Sequence, residues 1–319
     1  IENRLDGACA RFLNNKKQKK NIPYALFVQA NSSLNIRDGS ALYNEKDKII
    51  TKSIFGDIAK DNSIGAGVLR QYGKGSSGFS VSSCQFALHY FFENRTTLSN
   101  FITNVSQCTK IGGHFIGTCY DGNRIFKELK KRDSMRININ GVKIWEITKA
   151  YTATSFSADE TSVGLAINVY QETINKVIKE YLVNFDYFVR IMENNGFRPI
   201  TKEEAKDFGL PNGIGGFEEL YNNALQKQKR NPNINNFIKN ALEMSIEEKR
   251  ISFLNNYFVF VKIADSEPVV EEEGELLRAV EKRDTVDEDR EGLEEKPVEQ
   301  SNTTTIKKRP TKLRLVKNK

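Results

Sequence analysis

Long apolar runs are missing from this sequence of 319 residues. The longest, such as Tyr257-Phe258-Val259-Phe260-Val261, are strand-sized, well short of the roughly 20 residues a membrane helix needs. No membrane partner is therefore expected, and no signal-peptide pattern is present. Histidine is scarce: His89 and His114 are the only two, and neither has a second ligand at helical spacing, so no metal centre is expected. The four cysteines (Cys9, Cys84, Cys108, Cys119) show no C-x-x-C spacing and fall in stretches that read as core. That argues for buried free thiols in a reducing, intracellular compartment, against a zinc site or a disulfide frame. Aromatic residues vanish from residue 264 onward, where the chain is acidic to Gln300 and basic from Lys307. Such a composition buries too little apolar surface to offset chain entropy, so 264–319 is expected to be a disordered tail behind a globular part, 1–263. The first residue is Ile1 rather than Met, and the expectation is a piece cut from a longer polypeptide.

What is present is an uneven charge. The tail from Asp265 holds 12 Lys/Arg and 15 Asp/Glu, which leaves 36 and 26 for the preceding residues, an excess of 10 positive charges. A polyanionic partner and a solvated lysine surface both fit that excess. The Lys16–Lys20 run at the end of a first helix could guide RNA phosphates or be a solvated helix end.

The stretch from Phe79 to Asp121 organises the rest. It reads as strand, polar-aromatic turn, amphipathic helix (Leu98, Phe101, Ile102, Val105 and Cys108 on one face), a Gly112-Gly113 stop and a second strand. That is a βαβ unit, and Ser82, Ser83, Gln85, His89 and Tyr90 cluster at the carboxyl end of its first strand, where open α/β sheets bind ligands. Tyr24 to Gln29 reads as a strand buried on both faces, ending in the polar loop Ala30-Asn31-Ser32-Ser33. Residues 50–72 read as a helix interrupted at Gly65 and Gly67. Further strands are expected at 141–147, 163–169 and 256–262. Ile178 to Phe185 is expected to lead into a helix ending at Asn195, with Gly196 as its cap, and Thr201 to Glu204 to open another by a capping box. A polar helical region is expected over 233–250. Gly73–Gly78 precedes a strand and Gly213–Gly216 follows a helix pattern. Neither has the strand-before, helix-after setting of a phosphate loop, and both read as turns.

The string Ser82-Ser83-Cys84-Gln85-Phe86-Ala87-Leu88-His89-Tyr90-Phe91-Phe92-Glu93, with Asn104-Val105-Ser106 and Gly112-Gly113-His114-Phe115-Ile116-Gly117-Thr118 after it, closely resembles the mRNA cap guanine-N7 methyltransferases. It is most similar to the capping enzymes of large nucleocytoplasmic DNA viruses, and the similarity runs from Ile1 to about Lys262. The resemblance implies an α/β, class I S-adenosylmethionine-dependent methyltransferase (Rossmann-like) fold lacking its first strands. In the family, the glycine-rich donor loop and the ribose-binding acid come before the point where Ile1 stands. It implies methyl transfer from S-adenosylmethionine to N7 of the cap guanine, by in-line orientation without a general base. His89, Tyr90, Glu180 and Tyr257 are implied at the cap guanine. Asn31, Ser32, Ser83, Gln85 and Phe86 are implied at the methyl donor, with Asn31 where many members carry Asp. The implied partners are the capped RNA 5′ end and triphosphatase or guanylyltransferase domains or subunits, in a host cytoplasmic factory or a virion. A second reading stays open: a non-catalytic cap- or RNA-binding, or structural, subunit of a viral capping complex. Read from the residues alone, His89 is a hydrogen-bonded core histidine, Glu180 a helix-start carboxylate and Tyr257 strand filler.

Overall fold

The computed structural model describes residues 7–19, 21–231 and 235–265. The chain divides into two units, Ile1–Glu267 and Pro268–Lys319. Of the expected disordered tail, all but Ala264 and Asp265 lies outside the described residues. Three helices come first: α1 (Ala8–Gln18), α2 (Glu45–Phe55) and α3 (Ala66–Leu69). The organising stretch follows as β1 (Phe79–Gln85), the one-turn helix α4 (Leu88–Phe91), α5 (Arg95–Cys108) and β2 (Thr109–Tyr120). Then come α6 (Gly122–Leu129), β3 (Ser134–Ile139), β4 (Val142–Lys149), β5 (Ala166–Gln171) and β6 (Lys176–Tyr181). The remainder is α7 (Phe185–Asn194), β7 (Phe197–Pro199), α8 (Lys202–Asp207), β8 (Ile214–Gly216), α9 (Phe217–Arg230), α10 (Asn235–Leu242), α11 (Ile246–Ser252) and β9 (Asn255–Lys262).

Two sheets carry the architecture. In the first, β1 and β2 are parallel across the α5 crossover, and antiparallel β9 joins β2 to both β7 and β8. Asn94 and Thr97 cap α5 reciprocally, and Leu98, Phe101, Ile102 and Val105 turn its apolar face onto the sheet as their spacing requires. Phe92, Phe115, Phe188, Phe258 and Phe260 fill the core on this sheet. The second sheet is an antiparallel meander, β3-β4-β5-β6, packed through Trp145, Ile147 and Ile167 against Ile125 and Leu129 of α6. The start of α6 sits against the chain after β6. A Cβ on Gly122 would lie 2.4 Å from the Val183 carbonyl oxygen, so only glycine permits that approach.

Several expectations change. Tyr24–Gln29 is not a strand: it runs without ladder pairing, and Tyr24 is 63% exposed. A strand buried on both faces needs paired neighbours, and the nearest pairing among the described residues is an isolated bridge just after the stretch, Ala30 to Leu42. Gly112-Gly113 does not stop α5, which ends at Cys108; the pair lies within β2, where register slips between Phe79↔Thr109 and Val81↔His114. Left-handed Gly112 (φ +76°) lets the extra residues bulge out. Residues 50–72 hold the end of α2, a 3-10 turn at Asn62–Ile64 and α3 rather than one helix. Ile214–Gly216 is an edge strand, not a turn, while Gly73–Gly78 is indeed turn. Most consequentially, Ile178–Tyr181 belongs to β6, and the helix starts only at Phe185 after the Asn184 cap.

Candidate functional site: a cavity between the two sheets

The β1 end and α4 face the β5–β6 hairpin across a cavity of about 420 Å³. That size lies within the range of small-ligand sites. Phe86, His89 and Tyr90 line it from the first sheet's carboxyl edge and Tyr120 from the end of β2. Lys176, Ile178 and Glu180 line it from β6, one side chain every second residue, as the strand period dictates. Val169 and Gln171 stand beside them on β5, in register with Ile178 and Lys176. The Tyr181 hydroxyl donates to Glu93 Oε1 (2.7 Å), tying β6 to the loop after α4 and so holding Glu180 opposite His89.

The innermost polar groups have no partners. His89 is 5% and Glu180 4% exposed, yet neither ring nitrogen of His89 nor Oε2 of Glu180 makes a hydrogen bond. His89 Nε2 and Glu180 Oε2 stand 3.6 Å apart, close enough to attract but too far to bond. Burial sets both titrations: it pushes the Glu180 carboxyl up to about 7 and the His89 imidazolium down to about 4. At neutral pH the imidazole is uncharged and offers one N–H and one lone pair. Asn255 adds a third orphan. Its Nδ2 is committed to the Ile251 and Ser252 carbonyls (3.4 and 3.1 Å), which leaves Oδ1 buried without a partner in the same cavity. Buried polar atoms left unpaired cost roughly 1–3 kcal/mol each. A cluster of them around a cavity calls for a ligand carrying the complementary groups. Tyr90 packs edge-on to the His89 ring at 4.2 Å between centroids, and burial, with the Glu180 charge second, raises its phenol.

Tyr257 stands elsewhere. Its ring is buried on β9 opposite Thr118, and its hydroxyl donates to the Asn212 carbonyl (3.0 Å) and accepts the Asn212 N–H (3.2 Å). It does not line the cavity, so the expectation that it borders the same pocket as His89 is not met, because its polar end is spent holding the β8 approach. Of the residues expected at the methyl donor, Ser83, Gln85 and Phe86 lie on the exposed rim at the end of β1, and Asn31 and Ser32 lie in a loop packed on α5. Thr118 Oγ1 donates to Gln85 Oε1 (2.9 Å), and Gln85 Nε2 donates to Ser83 Oγ (3.0 Å). Ser82 turns away, its hydroxyl against that of Thr109 (2.6 Å). Phe86 follows with a left-handed backbone (φ +50°), its N–H held by the Thr118 carbonyl (2.8 Å), and its ring 54% exposed. Such a backbone is costly for an aromatic residue and persists only where surroundings hold it. Asn31 Oδ1 accepts the Ser33 N–H (3.0 Å) in a local turn, and the Ser32 carbonyl accepts from Asn104 Nδ2 (3.0 Å).

Sequence reasoning missed Tyr120, Gln171, Lys176 and Asn255 in the cavity, and Asn104 on α5 behind the 31–36 loop. Asn104 bonds Ser32, Leu34 and the Ile36 N–H (3.0, 2.7 and 2.8 Å) and is 3% exposed. Tyr120 had a usable signal, since it closes the second strand of the same parallel pair. Gln171, Lys176 and Asn255 are set by the hairpin and by β9, which no local pattern brings to this place. Among the described residues no cluster of three or more His, Cys, Asp or Glu could hold a metal ion, and no helix is long and apolar enough to cross a membrane.

An α/β protein with a cavity at the carboxyl edge of a parallel pair, ringed by unpartnered donor and acceptor atoms, belongs to the class that binds small ligands at that edge. The model of the mRNA (guanine-N(7))-methyltransferase domain matches residues 36–263, and the chain belongs to that family. It is 26% identical over 277 residues to a protein of Acanthamoeba polyphaga mimivirus called "Probable mRNA-capping enzyme", spanning 81% of this chain and 22% of that one. To mRNA cap guanine-N(7) methyltransferase 1 of Oryza sativa subsp. japonica it is 39% identical over 130 residues, 41% of this chain and 34% of the relative. A Drosophila melanogaster cap methyltransferase is 26% identical over 169 residues, 52% of this chain and 37% of its own length. The chain thus spans between about a fifth and two fifths of the length of these relatives.

Proposed function

We propose that the cavity reads the edge of a cap guanine and presents its N7 for methylation. The observation that carries this reading is the set of orphaned atoms on Glu180, His89 and Asn255 in one buried cavity. Guanine offers N1–H and the N2 amine as donors and O6 as acceptor. Glu180 accepts from N1–H and one N2 hydrogen, Asn255 Oδ1 from the other, and the His89 N–H donates to O6. The apolar faces of Val169, Ile174, Ile178 and Ile251 cover the ring. S-adenosylmethionine supplies the sulfonium methyl: the N7 lone pair bonds to its carbon as the carbon–sulfur bond breaks and sulfur keeps that pair. N7 bears no proton, so no general base is required, and the chain's part is alignment, worth up to roughly 7–11 kcal/mol in well-oriented reactions. The base becomes cationic as the bond forms. An ionised Glu180 at its edge in a low-dielectric cavity favours that charge more in the transition state than in the substrate.

On the donor side, Gln85 and Ser83 offer exposed amide and hydroxyl groups, Phe86 an exposed ring at the point where the rim meets the cavity, and Asn31 and Ser32 a loop braced by Asn104. These groups suit an adenosine-bearing donor, although the carboxamide oxygens of Asn31 and Gln85 each already accept one bond. The substrate partner is the capped 5′ end of RNA. The test is methyl transfer from radiolabelled donor to GpppG-capped RNA. Glu180→Ala and His89→Ala are expected to abolish it in protein that folds. Full turnover in a folded Glu180→Ala protein would overturn the reading. A non-catalytic role is the outcome if wild-type chain binds cap through Glu180 but transfers no methyl group.

A further inference from the structure

A second cleft of about 340 Å³ backs onto the first. Four arginines line it: Arg124 of α6, Arg132 just beyond that helix, Arg136 of β3 and Arg250 of α11. Its floor is apolar, with Met135, Trp145 and Phe253. The two cavities share a partition. The Trp145 indole N–H donates to the Tyr120 hydroxyl (3.0 Å), with Tyr120 facing the first cavity and Trp145 the second. On α11, consecutive Arg250 and Ile251 divide the same way.

We infer that this cleft binds the phosphodiester backbone of the RNA chain whose 5′ end occupies the first cavity. Guanidinium forks pair with phosphate oxygens two bonds at a time, which makes arginine rather than lysine the residue for such a site. Three of the four have carboxylate partners: Glu218 for Arg124 (3.6 Å), Glu128 for Arg132 and Glu146 for Arg136 (2.8 Å). In the Arg124–Glu218 and Arg132–Glu128 pairs both side chains are about half exposed, and exposed pairs are worth roughly 0–1 kcal/mol, so phosphates can displace those two carboxylates; Glu146, 13% exposed and shared with Lys143, stays on Arg136. Arg250 has no carboxylate partner among the described residues. The lining of four arginines and two glutamates leaves a net positive cleft, and exposed Lys127 of α6 and Lys131 just beyond it extend the charge. Trp145 and Met135 are buried (2% and 8% exposed), which leaves half-buried Phe253 to stack an unpaired base, a contact an acidic peptide lacks. The position of the RNA end rests on the cap reading; the anion site itself does not.

The experiment uses the full chain, a labelled uncapped 20-nucleotide single-stranded RNA, the dinucleotide GpppG and a 20-residue poly-glutamate. The variant is Arg132→Gln/Arg250→Gln, two exposed positions where the change keeps polarity. RNA affinity is expected to fall about tenfold or more near 0.1 M salt. The slope of log affinity against log salt is expected to shrink by about 1.4, or about 0.7 per lost phosphate contact. GpppG affinity should not change. Unaltered RNA affinity and slope would overturn the proposal, as would an equal loss of GpppG binding or displacement of RNA by poly-glutamate at matched charge concentration. If neither protein binds GpppG while the RNA effect persists, the cap reading fails and the phosphate cleft stands.

Discussion

The cavity around Glu180 and the rim around Gln85 meet at Phe86 and handle polarity in opposite ways. In the cavity, Glu180, His89 and Asn255 are buried and leave donor and acceptor atoms unpaired. On the rim, Ser83, Gln85 and Thr118 form an exposed chain of hydrogen bonds already closed on itself. An exposed polar group can trade water for a ligand at little cost, whereas a buried orphan is stabilised only when its ligand arrives. Binding energy therefore resides in the cavity. The cavity side is preorganised and costly to the empty protein, and the rim is satisfied and cheap.

The largest expected effect comes from removing the cavity's carboxylate. Glu180→Ala should weaken GpppG binding by about 100-fold, since each hydrogen bond to a charged group is worth about 1.5–3 kcal/mol. The same variant should be more stable than wild type at pH 8, where the empty wild-type cavity holds an unpaired charge. Calorimetry and thermal melts read both. If Glu180→Ala is less stable and binds GpppG normally, the carboxylate is a structural group and the contrast between cavity and rim disappears. Next, Asn104→Ala should cost about 2–3 kcal/mol of stability by freeing three bonds to the 31–36 loop. Guanidinium melts measure this, and a loss below 0.5 kcal/mol would mean the loop braces itself.

Tyr257→Phe should cost about 1 kcal/mol through the lost Asn212 contacts and leave GpppG affinity within twofold. A tenfold loss of affinity would bring Tyr257 back to the guanine. The pH dependence separates the two central groups by sign. The folded value of Glu180, about 7, lies above its ordinary 4.5, so its contribution to stability falls as pH rises from 4.5 through 7. The folded value of His89, about 4, lies below 6.5, so its contribution rises between pH 4 and 6.5. The two trends oppose each other where they overlap. His89→Leu should expose the falling arm and Glu180→Gln the rising one in urea melts from pH 4 to 8; two variants with the wild-type profile would refute the opposition. The smallest effect is in the 31–36 loop: Asn31→Asp should tighten S-adenosylmethionine binding severalfold by charge assistance, still accepting the Ser33 N–H.

Much of this was legible in the residues. The Phe79–Tyr120 unit was readable because its helix shows a clean apolar stripe between two β-rich runs, and the resemblance pointed to His89, Tyr90 and Glu180. The second sheet was less readable. Ser134–Ile139 alternates over only six residues, and Lys176–Tyr181 runs almost directly into α7, so Glu180 was assigned to the helix side of the boundary. Tyr24–Gln29 failed in the other direction, since an apolar run predicts a strand only where paired neighbours exist. Asn255 and Trp145 could not be placed in advance. Their roles arise at Tyr120, which pairs with Asn255 across β2 and β9 and accepts the Trp145 indole N–H from the other sheet.

The central claim is that the orphaned atoms read a guanine edge, and base discrimination at the cap tests it most directly. Calorimetric affinities of the wild-type chain for GpppA, for the same dinucleotide with hypoxanthine in place of the guanine, and for ApppA should fall in that order. Loss of the N2 amine should cost about 10-fold or more, because Asn255 and Glu180 are each left with an unmet acceptor. Equal affinity for the guanine and hypoxanthine caps would contradict the account.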